Sequence, residues 1–143
     1  MIYDCFTYYN ELEILELRLH TLAGAVDYFV IVEADRTFSG KERDFHFAAH
    51  REKFARFESQ IIYVQVTDIP VSGSEWDRQY FQRNCILRGL TGCAPDDVVI
   101  VSDVDEIPHP DAVRALTGKR EGQRRLAGNQ EPLPLRTYFY FLK

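Results

Sequence analysis

The stretch Val98-Val99-Ile100-Val101-Ser102-Asp103-Val104-Asp105-Glu106-Ile107-Pro108 is the part of the sequence that most clearly indicates the fold. Its β-branched run predicts a buried strand, and the prolines that follow predict where the strand stops. Because residues i and i+2 of an extended chain point to the same side, Asp103 and Asp105 are expected to direct two carboxylates at one spot. Ligands of open α/β sheets bind just outside the carboxyl ends of the strands. Oxygen ligands there suit Mg²⁺ or Mn²⁺ bridging to a phosphate, so the stretch predicts an enzyme acting on a nucleotide diphosphate.

The D-x-D spacing by itself is a weak signal. In a chain of this composition such a pair is expected about once by chance. Its position strengthens the prediction, because it comes directly after four apolar residues and directly before a proline-rich stop. The alternative, two solvated loop carboxylates, stays open at this point.

The composition is that of one globular domain. The 143 residues are 45% hydrophobic and 13% aromatic, which is enough to bury a core. The formal net charge of −5 argues against a nucleic-acid partner held on a broad basic surface. No apolar run approaches the roughly 18 residues of a membrane span, and the N-terminus is unlike a signal peptide, so the chain as written is expected in the cytoplasm. Three cysteines without a C-x-x-C spacing predict buried free thiols.

Hydrophobic periodicity predicts strands and helices in alternation. The order β-α-β-α-β-α-β-α-β implies an α/β fold with a mostly parallel, Rossmann-like sheet and helices on both faces. Strands are predicted at 2–7, 26–33, 61–66, 96–101 and 135–142, and helices at 12–22, 47–57, 75–90 and 110–116. Asn10 and Ser74 are the predicted helix N-caps, and Phe54 and Phe57 are predicted to face inward.

The C-terminal part of the sequence carries two further expectations. The polar, breaker-rich segment 118–134 is predicted to be a loop, with a phosphate-gripping lid as the alternative. The chain ends directly after the fifth predicted strand, and a strand usually needs a following element to cover it. We therefore expect an incomplete domain that exposes apolar surface around 138–141 and self-associates through this strand.

Several segments together resemble one known family. Residues 3–11, 27–33 and 37–41 look like the opening of glycosyltransferase family 17. The similarity continues through Trp76-Asp77-Arg78, Tyr80-Phe81-Gln82-Arg83-Asn84 and the 101–108 stretch. It runs over nearly the whole chain, with 118–134 the least similar part. The set of motifs is far more specific than any one of them.

The resemblance implies a GT-A-type fold, with residues 1–143 forming the nucleotide-sugar-binding part of a longer domain. It implies an inverting transfer of N-acetylglucosamine from UDP-GlcNAc to a mannose-containing or related glycan, with Mn²⁺ (or Mg²⁺) held by Asp103 and Asp105. The residues expected near the donor are Asn10, Glu11, Glu33, Arg83, Asn84 and Asp103. A fragment of a eukaryotic member would belong in the Golgi lumen.

Most of these residues have a simpler alternative. Asn10 would then only cap its helix, and Glu33 would be an ordinary loop carboxylate. Arg83 would only pair with Glu75 or Asp77 on its own helix. Trp76, at the start of a helix, is expected in the core, with stacking on a sugar or base as the alternative.

Three histidines and the catalytic base complete the candidates. His46 and His50 are predicted to lie on a solvated face, because no zinc-protease glutamate follows His46. His109 is close to the acidic pair, but its flanking prolines are expected to point it away, so a role as a further ligand is only the alternative. An inverting displacement needs a base, and this base is expected to be absent from the chain; Glu106 is a weak candidate.

Two other functions compete with the transferase. A phosphohydrolase of the haloacid dehalogenase type also carries D-x-D after a hydrophobic strand, with its first Asp as nucleophile. There the motif sits on the first strand, whereas here it follows the fourth. The other competitor is a truncated, non-catalytic module that retains only nucleotide-sugar binding.

Overall fold

A single parallel sheet organises the chain. The computed structural model describes residues 1–116. Its strands are β1 (Ile2–Tyr8), β2 (Tyr28–Ala34), β3 (Ile61–Val66) and β4 (Val98–Asp103). All neighbouring pairs are parallel, in the order β3-β2-β1-β4. The predicted α/β class is confirmed, while the predictions for 118–134 and 135–142 lie outside the described residues.

The strand order reverses direction once. From β1 the chain builds outward to β2 and then β3, and it returns to the other side of β1 for β4. In open α/β sheets this reversal leaves a crevice at the carboxyl ends of the two strands that flank it. Thr7 of β1 lies opposite Asp103 of β4, so the two strands end side by side at the crevice.

Helices cover both faces of the sheet, as predicted. Side chains of successive strand residues point to opposite faces and build two cores. One core, which includes Phe6 and Ile31, lies under α1 (Leu12–Leu22). The other, which includes Cys5 and Val30, lies under α3 (Glu75–Asn84) and α4 (Ile86–Gly89). Burying each such aliphatic or aromatic side chain contributes about 1.5–3 kcal/mol.

The start of α1 differs from the prediction. Glu11, not Asn10, occupies the N-cap position, and no side chain caps this helix end. The Asn10 backbone carbonyl accepts a hydrogen bond from the N–H of Leu12 instead. The Glu11 carboxylate accepts hydrogen bonds from the backbone N–H groups of Tyr9 and Asn10 at 3.1 and 3.0 Å. It fastens the chain between β1 and α1, whereas the predicted N-cap role of Asn10 is not observed.

The predicted helix at 47–57 is two elements. A short α2 (His46–His50) leads directly into a 3₁₀ helix (Arg51–Gln60). In a 3₁₀ helix side chains three residues apart stand in line, and Phe54, Phe57 and Gln60 form such a row. The two phenylalanines are buried, as predicted, and the Gln60 side chain donates to the carbonyls of Ala23 and Val26. This period of three explains why the α-helical pattern stops.

The third helical region confirms one prediction and corrects two. Ser74 caps α3, and with Asp77 it forms a reciprocal capping box. The predicted single helix to about residue 90 is instead divided at Cys85 into α3 and α4. Trp76 does not pack in the core, because 66% of it is exposed on the outer face of α3.

Two further expectations concern the chain as a whole. Cys5 and Cys85 are buried as predicted, whereas Cys93 is only half-buried, and none of the three cysteines forms a disulfide in the described part of the chain. Among the helices of residues 1–116, none is both long and apolar enough to cross a membrane.

Candidate functional site

A cleft of about 580 Å³ opens at the carboxyl ends of β1 and β4. This volume is within the usual range of small-molecule sites. The acidic residues that line it are Glu11, Asp103 and Asp105, and the basic ones are Arg36 and Arg43. The remaining lining residues are Thr7, Tyr8, Tyr9, Ile14, Thr37, Phe38, Gln79, Gln82 and Val104. The cleft therefore lies at the reversal of strand order, as the position of the acidic pair predicts.

The two aspartates reach the cleft in a different way from the one predicted. Strand β4 ends at Asp103, and Asp105 lies in the turn that follows. The N–H of Glu106 donates to the carbonyl of Asp103 at 3.0 Å and closes this turn. The extended i, i+2 geometry was therefore the wrong premise, although both residues do line the cleft. We call residues 103–106 the acidic turn.

Asp103 has a cationic partner on α3. The guanidinium of Arg83, near the end of α3, forms an ion pair with its carboxylate. The expected alternatives on the helix itself, Glu75 and Asp77, are not the partners. About half of the Asp103 side chain, 52%, is still exposed. A ligand entering the cleft can therefore reach this carboxylate.

Glu106 is less accessible to a ligand than the two aspartates. Its carboxylate accepts a hydrogen bond from the N–H of Asp103 at 3.0 Å. It is half-buried and is not among the residues that line the cleft. Its contacts are those of a group that shapes the acidic turn.

Glu33 lies below the cleft and not in it. The side chain is fully buried, and its carboxylate accepts hydrogen bonds from four groups. The donors are Arg43 Nη2, the N–H groups of His46 and Phe47, and the Tyr63 hydroxyl. Burial and the adjacent Glu33 raise the pKa of Tyr63, so this phenol stays a proton donor. In this arrangement Glu33 joins β2 to α2 and β3 and has no exposed surface to offer a nucleoside.

The other two predicted donor contacts are exposed residues outside the cleft lining. Asn10 is exposed beside Glu11, next to the lining residue Tyr9. Asn84 is exposed at the end of α3. Of the six predicted donor residues, the structure brings Glu11, Asp103 and, through its ion pair, Arg83 to the cleft.

The basic wall of the cleft was not predicted. The Arg43 guanidinium lies 4.3 Å from the centre of the Tyr9 ring and donates to the backbone carbonyl of Tyr9. It also donates to the carbonyl of Ala34 at 3.1 Å and to Glu33 at 3.0 Å. The sequence signal was present as two arginines after β2, Arg36 and Arg43, but neither was among the predicted site residues. Facing acidic and basic walls suit a ligand that is anionic and carries a metal ion.

Arg78 of α3 supports this wall from behind. The side chain is buried, and it donates to the carbonyls of Phe38 and Gly73. Gly40, with φ of 87°, makes the turn that brings Phe38 toward it. Gln82 donates to the carbonyl of Val32 at 3.1 Å and fixes α3 against β2. These buried polar contacts hold the loop after β2 at the edge of the cleft.

The three histidines lie in different surroundings. His46 is half-buried, and its Nδ1 lies 2.8 Å from the hydroxyl of Tyr8, so a purely solvated face is not what α2 presents. Burial, followed by Glu33 and Glu11, raises the pKa of Tyr8. His50 follows one turn later, with its Nδ1 2.8 Å from the carbonyl of His46. His109 is exposed beside Asp111 and does not line the cleft.

The chemistry of the cleft is compatible with a divalent cation held jointly with a substrate. Within residues 1–116, no group of three or more His, Cys, Asp or Glu side chains is arranged to hold a metal on its own. Mg²⁺-like ions are commonly bound by one or two carboxylates together with substrate phosphates. Asp103 and Asp105 provide two such carboxylates, so the residues fit this kind of site.

Comparison with known proteins gives the family. The sequence profile of glycosyltransferase family 17 matches residues 1–142. The human protein named beta-1,4-mannosyl-glycoprotein 4-beta-N-acetylglucosaminyltransferase is 30% identical over 115 residues, covering 75% of this chain and 22% of the human one. The rat and mouse proteins of that name are also 30% identical, with 75% of this chain and 21% of theirs covered. The chain thus spans about a fifth of the length of these relatives. No solved structure matches it. The profile match over nearly every residue shows that this chain belongs to glycosyltransferase family 17.

Proposed function

We propose that the cleft is the donor site of a glycosyltransferase that moves N-acetylglucosamine from UDP-GlcNAc to a mannose-containing or related glycan, with inversion at the transferred sugar. The main support for this proposal is that Glu11, Asp103 and Asp105 line one cleft at the point where the strand order reverses. The family match favours this reading over the haloacid dehalogenase alternative. The sugar and the acceptor are inferred from the name of the relatives.

The acidic side of the cleft would hold the metal. Asp103 and Asp105 supply hard oxygen ligands for Mn²⁺ or Mg²⁺, which stabilises the charge that develops on a departing diphosphate. Arg83 balances the charge of Asp103 while the cleft is empty of donor. Because its guanidinium lies beside Asp103, Arg83 would also be placed to contact a bound diphosphate.

The opposite side would hold the organic part of the donor. Tyr9 and Phe38 offer ring surface, and the Tyr9 ring is already stacked against the Arg43 guanidinium. Glu11 has both carboxylate contacts within its own turn, so one oxygen remains available to a ribose hydroxyl. Glu33 contributes by holding Arg43 and not by touching the nucleoside.

The acceptor hydroxyl must lose a proton during an inverting displacement. No residue of the described part of the chain is assigned to that step. Glu106 is a poor choice, because its carboxylate accepts from the N–H of Asp103. We expect the base to come from outside residues 1–116.

Calorimetric titration with UDP tests the proposal. We expect UDP to bind at least about tenfold more tightly with Mn²⁺ than without it, a difference of about 1.4 kcal/mol. Asp103→Asn and Asp105→Asn should each remove most of this gain, since an amide keeps the shape but loses the charge. GDP should compete less well than UDP.

The matched control is Asp111→Asn. Asp111 is an exposed aspartate that does not line the cleft, so its loss should leave UDP affinity unchanged. Equal UDP affinity with and without Mn²⁺ in the wild-type chain would contradict the metal site. Equal effects of Asp105→Asn and Asp111→Asn would contradict its location.

A further inference from the structure

One arginine on the buried face of α1 has no role in the family resemblance or in the lining of the cleft. Arg18 stands in a row with Leu15, Leu19 and Leu22, all of which are fully buried. Arg18 itself is also fully buried. A buried guanidinium loses its hydration, so such a position is tolerated only where every donor finds an acceptor.

Part of that requirement is met by a buried ion pair. Arg18 Nε and Nη2 donate to the two oxygens of Asp4 at 2.8 and 2.7 Å, which is the bidentate geometry that favours arginine over lysine. Asp4 lies on β1 and is fully buried as well. The guanidinium also lies 4.5 Å from the centre of the Phe6 ring. This pair ties α1 to the strand beside β4.

The rest of the guanidinium is directed at the acidic turn. Nη1 donates to the carbonyls of Asp103, Val104 and Glu106 at 2.7, 3.1 and 3.2 Å. Nη2 also donates to Ser102 Oγ at 2.6 Å, and that hydroxyl in turn donates to the carbonyl of Glu106. Three of the four backbone carbonyls of the turn therefore depend on one side chain.

We propose that Arg18, held by Asp4, is a positioning residue that fixes the acidic turn so that Asp103 and Asp105 face the cleft together. The inference rests on the proposed function, because it concerns how the metal carboxylates are presented. Strand geometry does not provide this alignment, since β4 ends at Asp103. A turn whose carbonyls converge on one rigid cation has little freedom to rotate its side chains out of the cleft.

The primary test is Arg18→Met, which keeps an unbranched apolar stem in place of the arginine stem and removes all five N–H donors. We expect the Mn²⁺-dependent gain in UDP affinity to fall at least tenfold, with UDP binding in the absence of metal little changed. Arg18→Lys should not restore the gain, because a single ammonium cannot serve Asp4 and the turn together.

Two controls separate positioning from stability. Leu22→Ala removes a fully buried side chain from the same face of α1, and it should destabilise the chain while leaving the Mn²⁺-dependent gain intact. The double variant Asp4→Leu/Arg18→Met removes both buried charges. It should fold better than Arg18→Met alone, yet it should not recover the gain.

A measurement without donor or metal tests the turn directly. Hydrogen exchange at the amide of Glu106, which donates to the carbonyl of Asp103, should speed up at least tenfold in Arg18→Met. Exchange in β2 and β3 should change far less. In Leu22→Ala the Glu106 amide should exchange as in the wild-type chain.

The outcomes distinguish the proposed donor site from the proposed role of Arg18. A wild-type chain without any Mn²⁺-dependent gain would contradict the proposed function, whatever the exchange data show. A wild-type gain that survives in Arg18→Met, or in the double variant, would overturn the role of Arg18 while leaving the donor site in place. Unchanged exchange at Glu106 in a folded Arg18→Met chain would overturn it as well.

Discussion

The substitution Glu33→Gln tests whether Glu33, a predicted site residue, has a structural role or binds the ligand. The carboxylate is fully buried and accepts from Arg43, two backbone N–H groups and the Tyr63 hydroxyl. Glutamine has almost the same shape, but it replaces one oxygen by an NH₂ group and removes the charge. The structure therefore predicts a loss of stability with little direct effect on a nucleoside contact.

The size of the loss follows from the four hydrogen bonds. The best placement of the new amide directs its NH₂ at the Tyr63 hydroxyl, which can accept, and leaves the N–H of Phe47 without an acceptor. An unsatisfied buried N–H costs about 1–3 kcal/mol, and a bond that loses charge assistance weakens by about 0.5 kcal/mol. With three weakened bonds, the free energy of unfolding should fall by about 2.5–4.5 kcal/mol.

Urea unfolding of the variant against the wild-type chain measures this loss. Tyr63→Phe removes only one donor and should cost about 1 kcal/mol, which makes it an internal scale. Glu58→Gln breaks an exposed ion pair with Arg51 and should change stability little. The reasoning is refuted if Glu33→Gln is as stable as the wild-type chain, and above all if it keeps full stability while losing UDP binding.

Three other predictions concern the fold. Gly89→Ala should destabilise the chain by about 1–3 kcal/mol in urea unfolding, because its Cβ would lie 2.5 Å from Val30 Cγ1. Ser74→Ala should cost about 1 kcal/mol by removing the α3 cap, without changing UDP affinity in calorimetry; a larger effect on affinity than on stability would refute this. Burial raises the pKa of Tyr8 and Tyr63 in the folded chain. The stability that these two phenols contribute is therefore present in full below the pKa of tyrosine in the unfolded chain, about 10, and is lost as the pH rises beyond it. Unfolding at about pH 8 and about pH 10.5 should show this decline, and Tyr63→Phe should reduce it.

Structural features that depend on neighbouring residues in the chain were predicted correctly from the sequence. The β-branched run of β4 and the Ser74 cap each depend on neighbours in the chain. The burial of Phe54 and Phe57 was also predicted, because both stand on one apolar row. The parallel sheet followed from the alternation of such elements.

Features that depend on distant partners were missed. Trp76 was expected in the core on hydrophobicity, but the capping box and the buried Arg78 and Gln82 turn its side of α3 outward. Asp105 was placed on an extended strand, whereas hydrogen bonds from Arg18, 86 residues away from Val104, hold a turn there. A charged residue in an otherwise leucine-rich helix face was the signal that could have revealed Arg18. Its partners could not be read from the sequence, because they lie on β1 and in the acidic turn.

The candidate site also depends on both neighbouring and distant residues. The position of the cleft follows from the strand order, which was not predicted, but the acidic pair that lines it was predicted at the end of the fourth strand. The composition of its walls does not, because Arg43 is brought to Tyr9 by Glu33 and by the loop after β2. Asn84 was predicted near the donor but lies away from the cleft, although Arg83, the residue before it, reaches the cleft through its ion pair with Asp103.

Paramagnetic relaxation by Mn²⁺ in the presence of UDP tests most directly whether the cleft between β1 and β4 is the donor site. With Mg²⁺ as the diamagnetic reference, the account predicts strong broadening of the amide signals of Thr7, Glu11 and Val104. The amides of β3, at the far edge of the sheet, should broaden far less, and Asp105→Asn should remove the effect. Broadening centred anywhere else in residues 1–116, or broadening that does not depend on UDP and Asp105, would contradict the account.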